Sequence, residues 1–293
     1  MKTNIYHIII LIAALTGTLV LQSCNGKRTA GHQITVTIEP LRYFTQAIAG
    51  DKFDVLSMVP KGSNPESYDP TPQQLVNLEN SIAYFRIGSI GFEQIWMKRL
   101  QQNVPLMKVF DTSKGIRKLY MRHSHEESET ENSSEADPHI WNSSKNARII
   151  AQNIFKGLCE LEPKSKDYFE QNLMRLLKEI DSTEKELQTL INDKTTRSFL
   201  IFHPALSYFA KDYGLEQICI EEEGKEPSPT RLKDLIQICR EKKIRIIFMQ
   251  EEFDKRNAEL IARETGTQLV TINPLSYNWS KEMIHIAKSL DNE

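Results

Sequence analysis

Short apolar runs that read as strands alternate along the chain with stretches whose apolar residues recur every three or four positions. The first series comprises ITVTI (34–38), a helix over Leu41–Ala49, DVLSMV (54–59), a helix from Thr71 to Glu79, IAYFRIG (82–88), a helix over Phe92–Leu100, and LMKVF (106–110). Thr71-Pro72-Gln73-Gln74 has the residues of a capping box with proline at the first helical position. The second series comprises SFLIF (198–202), a helix over Ala205–Tyr213, QICI (217–220), a helix from Pro229 to Lys243 with Ser228 as its N-cap, IRIIFM (244–249), a helix over Lys255–Glu264, QLVTI (268–272), and a helix over Lys281–Leu290. Between them, from Pro163 to Asp193, the residues Phe169, Leu173, Leu176, Leu177, Ile180, Leu187, Leu190 and Ile191 mark one helical face. Neither glycine nor proline interrupts it after Pro163, although Asp181-Ser182-Thr183 offers a point at which two shorter helices would part. Strands alternating with helices imply parallel sheets. The expectation is an α/β fold of two small parallel-sheet lobes, 34–162 and 195–293, joined by one long rigid helix over 163–194.

Two segments break this alternation. Lys2 precedes an apolar run from Ile8 to Leu21, which has the length of a signal-peptide core and is too short to span a bilayer. It closes on Leu21-Gln22-Ser23-Cys24, which resembles the bacterial lipobox. That implies a signal peptide over 1–23, lipidation of Cys24, and a polar tether over 24–33. An ordinary secretory signal is the alternative, and both readings put the mature chain outside the cytoplasm. Residues 122–137, RHSHEESETENSSEAD, hold no large apolar residue and many carboxylates, and read as a solvated loop bearing His123 and His125.

Composition narrows the function. Among 293 residues, 37 are Lys or Arg and 39 are Asp or Glu, a formal net charge of −2. That balance argues against nucleic acid as a partner. No glycine-rich phosphate fingerprint follows any strand, so nucleotide binding has no support. The cysteines, Cys24, Cys159, Cys219 and Cys239, form no CxxC pair and exclude a thiolate zinc ribbon. Cys219 and Cys239, on a neighbouring strand and helix, are read either as a disulfide or as two buried thiols.

In open α/β sheets ligands bind beyond the carboxyl ends of the strands. Glu66 in GSNPESYDP follows the second strand, His139 in DPHIW follows the acidic loop, and His203 directly follows SFLIF. Imidazole and carboxylate together suit Zn²⁺, Mn²⁺ or Fe²⁺. Taken singly, a histidine at a strand end is more often a hydrogen-bonded surface or core residue, and a glutamate in such a loop usually faces solvent.

GSNPESYDPTPQQL, DPHIW, FHPALSYFAKDYGL, EPSPTRLKDLI and IIFMQEEF, in that order, resemble the motifs of the metal-binding lipoproteins of bacterial ABC transporters for zinc and manganese. The resemblance covers residues 34–290. It implies an extracytoplasmic solute-binding protein, with two α/β lobes, a rigid linking helix and a metal site in the cleft between lobes. It places His139 and His203 as the second and third ligands, and Glu66 where the family usually has its first histidine. Asn273 stands where a fourth ligand, usually Asp, would be, while Gln250 and Pro204 replace a usual Glu and Asp beside the ligands. His203 implies the zinc-type subgroup. A carboxylate at 66 leaves Mn²⁺ or Fe²⁺ as alternatives.

The implied partners are an ABC permease and, through Cys24, the membrane, with the protein a monomer facing the periplasm or the cell surface. His123 and His125 are read as metal-capturing loop residues or as incidental. Two other functions compete. A zinc hydrolase would use Glu66, His139 and His203 with metal-bound water, but HExxH and G-x-S-x-G are both missing. Members of the family have been called adhesins, yet the sequence supplies no adhesive feature.

Overall fold

The structure, a computed structural model, describes residues 32–120, 136–192, 197–222 and 224–290. The signal peptide, Cys24, His123 and His125 lie outside the described residues. Among the described residues, no helix is long and apolar enough to cross a membrane.

The first lobe runs β1 (Gln33–Val36), α1 (Glu39–Ala49), β2 (Asp54–Ser57), α2 (Pro72–Glu79), β3 (Ser81–Arg86), α3 (Gly91–Asn103), β4 (Lys108–Asp111) and α4 (Ser144–Leu161). The second runs β5 (Ser198–Ile201), α6 (Ser207–Tyr213), β6 (Glu216–Cys219), α7 (Pro229–Glu241), β7 (Ile246–Gln250), α8 (Arg256–Thr265), β8 (Gln268–Ile272) and α9 (Trp279–Ser289). Between them lies α5 (Lys166–Asn192). Both sheets are wholly parallel, and both have the same strand order, β2-β1-β3-β4 and β6-β5-β7-β8.

The central strands are buried on both faces, as parallel sheets covered by helices must be. Ala83, Tyr84 and Phe85 of β3 and every residue of β7 are buried. The helix starts follow from their capping residues. Thr71 and Gln74 form the reciprocal capping box ahead of α2, and Ser228 accepts from Arg231 N with Pro229 at the first turn of α7.

The linking helix α5 is unbroken over 27 residues, about 40 Å long, so there is no division at Asp181–Thr183. A single 3-10 turn over Pro163–Ser165 leads into it. Phe169, Leu173, Leu176, Ile180, Leu187 and Ile191 bury its apolar face. That face packs on α1 and α4 of the first lobe and on α9 of the second.

One helix was not anticipated. α4 follows the His139 segment, starts from Ser143, whose hydroxyl accepts from Asn146 N, and buries Ala147, Ile150, Ala151, Ile154 and Leu158. Gly157 permits its contact with the sheet, since a Cβ there would stand 2.6 Å from Phe85. Cys219 and Cys239 are free thiols. Burial pushes the Cys239 thiol up to about 11 and Cys219 higher still.

The segment after Asp137 ties the lobes together. Trp141 Nε1 donates to Pro274 O at 2.8 Å, Trp279 Nε1 donates to Trp141 O at 2.7 Å, and Asn142 Nδ2 donates to Ala205 O at 2.9 Å. All three crossings are buried.

Candidate metal centre

In each sheet the chain departs in opposite directions from two adjacent strands, β1 and β3 in the first and β5 and β7 in the second. The carboxyl ends of such a pair form the crevice where ligands bind. In the first lobe a side chain fills that crevice. Glu93 of α3 accepts from Thr37 Oγ1 and Ile87 N with Oε1, and from Gly88 N with Oε2. Burial pushes its carboxyl up to about 6 despite these bonds. They fix the start of α3 against the sheet, and the start of α3 in turn holds Glu66.

Glu66 N donates to Asn64 Oδ1 at 2.9 Å, and Gly91 N donates to Glu66 Oε2 at 2.8 Å. Gly91 is the first residue of α3, where unpaired N–H groups and the helix dipole complement a carboxylate. The approach requires glycine, because a Cβ on Gly91 would lie 2.5 Å from Glu66 O and 2.7 Å from its Oε2. With Oε2 so held, Oε1 is buried and, among the described residues, has no hydrogen-bond partner. A buried carboxylate oxygen left unpaired is costly unless a cation or donor meets it.

His139 is almost fully buried and its orientation is set by Asp137, which accepts from His139 N at 2.8 Å and from Nδ1 at 2.9 Å. Asp137, assigned from the sequence to the solvated loop, is instead fully buried. Tyr208 OH donates to its carbonyl at 3.0 Å, and Asp137 N donates to Leu119 O. Burial alone would raise the Asp137 carboxyl, but the charge and hydrogen bonds of His139 hold it below its usual range. Desolvation opposes charging of His139, yet Asp137 outweighs it and raises the imidazole above its usual value.

His203 lies two residues beyond the end of β5. Its Nδ1 lies 2.9 Å from Glu221 Oε1, and its ring stacks on Phe253 at 5.2 Å between centroids. Gln250, at the end of β7, clamps its backbone from both sides: Nε2 donates to His203 O at 2.6 Å, and Oε1 accepts from His203 N at 3.3 Å.

Each histidine thus has a carboxylate on Nδ1. A carboxylate only accepts, so Nδ1 carries the proton and Nε2 presents a lone pair in the neutral ring. The two Nε2 atoms face each other at 3.1 Å. Two lone pairs at that distance repel unless they share a proton or a cation. Two nitrogens bound tetrahedrally to one Zn²⁺ would stand about 3.3 Å apart. Donor atoms of Glu66, His139 and His203 all lie within 4.8 Å of one another. The cavity they line, with Trp141, Glu252, Phe253 and Leu275, has a volume of about 10 Å³, room for one ion or one water.

The structure therefore brings together Glu66, His139 and His203, with Gln250 behind His203. Asn273 is not part of this arrangement. Its Oδ1 accepts from Leu275 N at 3.1 Å, its N donates to Glu282 at 2.7 Å, and only its successors Pro274 and Leu275 line the cavity. Three carboxylates were not singled out from the sequence: Asp137 and Glu221, which orient the imidazoles, and Glu252, which lines the cavity. The DPH spacing was the available signal for Asp137. Glu221 and Glu252 lie in acidic strings with nothing to distinguish the inward-turned member.

The model of the family "zinc-uptake complex component A, periplasmic" (ZnuA) matches residues 34–292. This chain belongs to the ZnuA family. Its relatives include substrate-binding lipoproteins of manganese and iron ABC transporters and a zinc-binding lipoprotein. The chain is 29% identical over 274 residues to the manganese ABC transporter substrate-binding lipoprotein PsaA of Streptococcus mitis, covering 87% of this chain and 85% of that one. It is 29% identical over 275 residues to the iron ABC transporter substrate-binding lipoprotein MtsA of Streptococcus pyogenes serotype M1, covering 88% and 86%. A crystal structure of ZnuA superposes with a TM-score of 0.82 at 38% identity, covering 88% of this chain and 97% of that one.

Proposed function

We propose that this chain captures a single divalent transition-metal ion outside the cytoplasm, zinc first, and delivers it to an ABC importer. The first lobe would supply Glu66 and His139, and the second lobe His203. The observation that carries the reading is the meeting of two Nε2 lone pairs within 4.8 Å of a carboxylate, Glu66, one of whose oxygens is buried and unpaired among the described residues. The metal is cargo, and the chain's own groups explain how it would be held. Asp137 and Glu221 fix both imidazoles in the ligating tautomer, and Gly91 leaves one oxygen of Glu66 free to bind.

A hydrolase would use the same three donors, but the sequence carries neither HExxH nor G-x-S-x-G to supply its catalytic groups. Relatives named for zinc, manganese and iron leave the cargo open. Two imidazoles favour zinc, and the carboxylate of Glu66 in place of a third imidazole favours manganese or iron as the second reading. The mature chain would be a monomer tethered through a lipidated Cys24, with the permease as its partner.

Metal analysis of Cys24→Ser mature protein purified without chelator, followed by competition between Zn²⁺, Mn²⁺ and Fe²⁺, tests this. One equivalent of bound metal with zinc displacing the others is expected. Stoichiometric manganese that zinc does not displace would select the second reading, and no binding would end both.

A further inference from the structure

Glu66, His139 and His203 give a divalent ion three donors and one negative charge, leaving a net +1 and one coordination position short of a tetrahedron. Asn273, the sequence-based choice for that position, has its amide oxygen committed to Leu275 N. Two other polar side chains at the cavity are committed as well. Asn64 is engaged with Glu66 N, and Trp141 Nε1 is used across the lobes. Glu252 differs from both. It lines the cavity, and among the described residues its carboxylate has no hydrogen-bond partner beyond its own backbone N–H. Its neighbour Glu251 instead meets Asn273 on the exposed side. Glu252 also feels the charge of both His203 and His139, although burial dominates and raises its carboxyl.

Its place in the fold is informative. Gln250, two residues earlier, grips the backbone of His203, and Phe253, the next residue, stacks on the His203 ring. The segment 250–253 is thus anchored to one ligand on either side of Glu252. It leaves β7 beside the β5 end, at the crevice of the second sheet. The carboxylate lies outside the 4.8 Å cluster, within the same cavity.

Resting on the metal-capture reading above, we infer that Glu252 is the fourth donor, and that its carboxylate turns onto the ion when metal enters. Each lobe then contributes one imidazole and one carboxylate: His139 with Glu66, and His203 with Glu252. Two carboxylates and two neutral imidazoles neutralise a divalent cation completely, which removes the cost of leaving a net charge in a nearly closed cavity. Because the fourth donor is a hard oxygen, its removal penalises Mn²⁺ more than Zn²⁺.

The test uses Cys24→Ser mature protein, Glu252→Gln, Glu252→Asp and His203→Ala, with Co²⁺ as the spectroscopic probe and chelator competition for Zn²⁺ and Mn²⁺. Glu252→Gln should alter the visible Co²⁺ spectrum and weaken binding on the order of a hundredfold, more for Mn²⁺. Glu252→Asp keeps the charge and should recover part of the affinity. Thermal melting of the metal-free variants confirms that each is folded. An unchanged Co²⁺ spectrum and unchanged affinities in Glu252→Gln, with binding lost in His203→Ala, would overturn Glu252 and leave the three-donor site standing. No metal binding by the parent protein would overturn the capture reading itself.

Discussion

His139 and His203 come from different lobes, yet their Nε2 atoms meet at 3.1 Å while each Nδ1 rests on its own carboxylate, Asp137 and Glu221. The pair is oriented before any cargo arrives. Asp137→Ala or Glu221→Ala should each lower metal affinity about 10–100-fold by freeing a ring to rotate, without removing a ligand. Chelator competition measures it; an effect as large as that of His203→Ala would mean that the carboxylate binds the ion itself.

Glu66→His should raise the preference for Zn²⁺ over Mn²⁺, since imidazole nitrogen replaces a hard oxygen. Glu66→Ala should weaken both metals, because it removes a negative donor. Titration of both metals into both variants checks this, and unchanged zinc affinity in Glu66→Ala would reduce Glu66 to a loop residue.

Gly91→Ala makes a sharper test, because it alters no candidate ligand. The new Cβ would stand 2.5 Å from Glu66 O and must push the loop away. Metal affinity should fall about 10–100-fold. Alanine is the better helix former, so the metal-free melting temperature should change little by comparison.

The pH dependence has opposite signs with and without metal. Asp137 raises His139 above its usual value near 6.5 in the folded chain. The protonated ring therefore adds stability to the metal-free protein that is fully present below pH about 6.5 and is lost as pH rises through the folded value. Metal competes for the same nitrogen, so affinity should fall as pH drops through that window. Melting scans from pH 5 to 8 should show the metal-induced rise in melting temperature growing with pH. A rise that does not depend on pH would argue against imidazole ligation.

Excision of 122–135 should leave folding and most of the affinity intact, provided that Asp137 stays. Tyr120 and Ala136 pair across the ends of this segment, and Asp137 N donates to Leu119 O, so the ends already lie side by side. Calorimetry and zinc titration of the deletion check this, and a large loss of metal-free stability would contradict it. Extending the cut through Asp137 should cost the affinity that the shorter cut preserves.

The strands and most helices were legible because parallel strands read as continuous apolar runs and the helix starts carry Thr71-Pro72 and Ser228-Pro229. Boundaries moved by a few residues where edge groups left the sheet, as at QICI, observed as Glu216–Cys219. The helix α4 escaped notice because part of its buried face is small, Ala147, Ala151 and Gly157, the last being glycine to let Phe85 approach. Apolar bulk marks a buried face only where the neighbour leaves room for it. Glu66, His139 and His203 were recognisable by position in their motifs. Their supporting carboxylates were not, since whether Glu221 or Glu252 turns inward depends on how a strand end leaves the sheet.

The linking helix α5 packs on α1, α4 and α9 at once, and Trp141 and Trp279 fasten the same two halves at the cleft. A spine and a clasp that both cross between the halves leave no free hinge for a jaw-like motion. On the metal-capture reading, an importer docking on this protein would have no large change of outline by which to tell a laden courier from an empty one. On that reading the message would be written in the short segments around Glu66 and Phe253, and unloading would begin by disturbing those segments rather than by prising the halves apart.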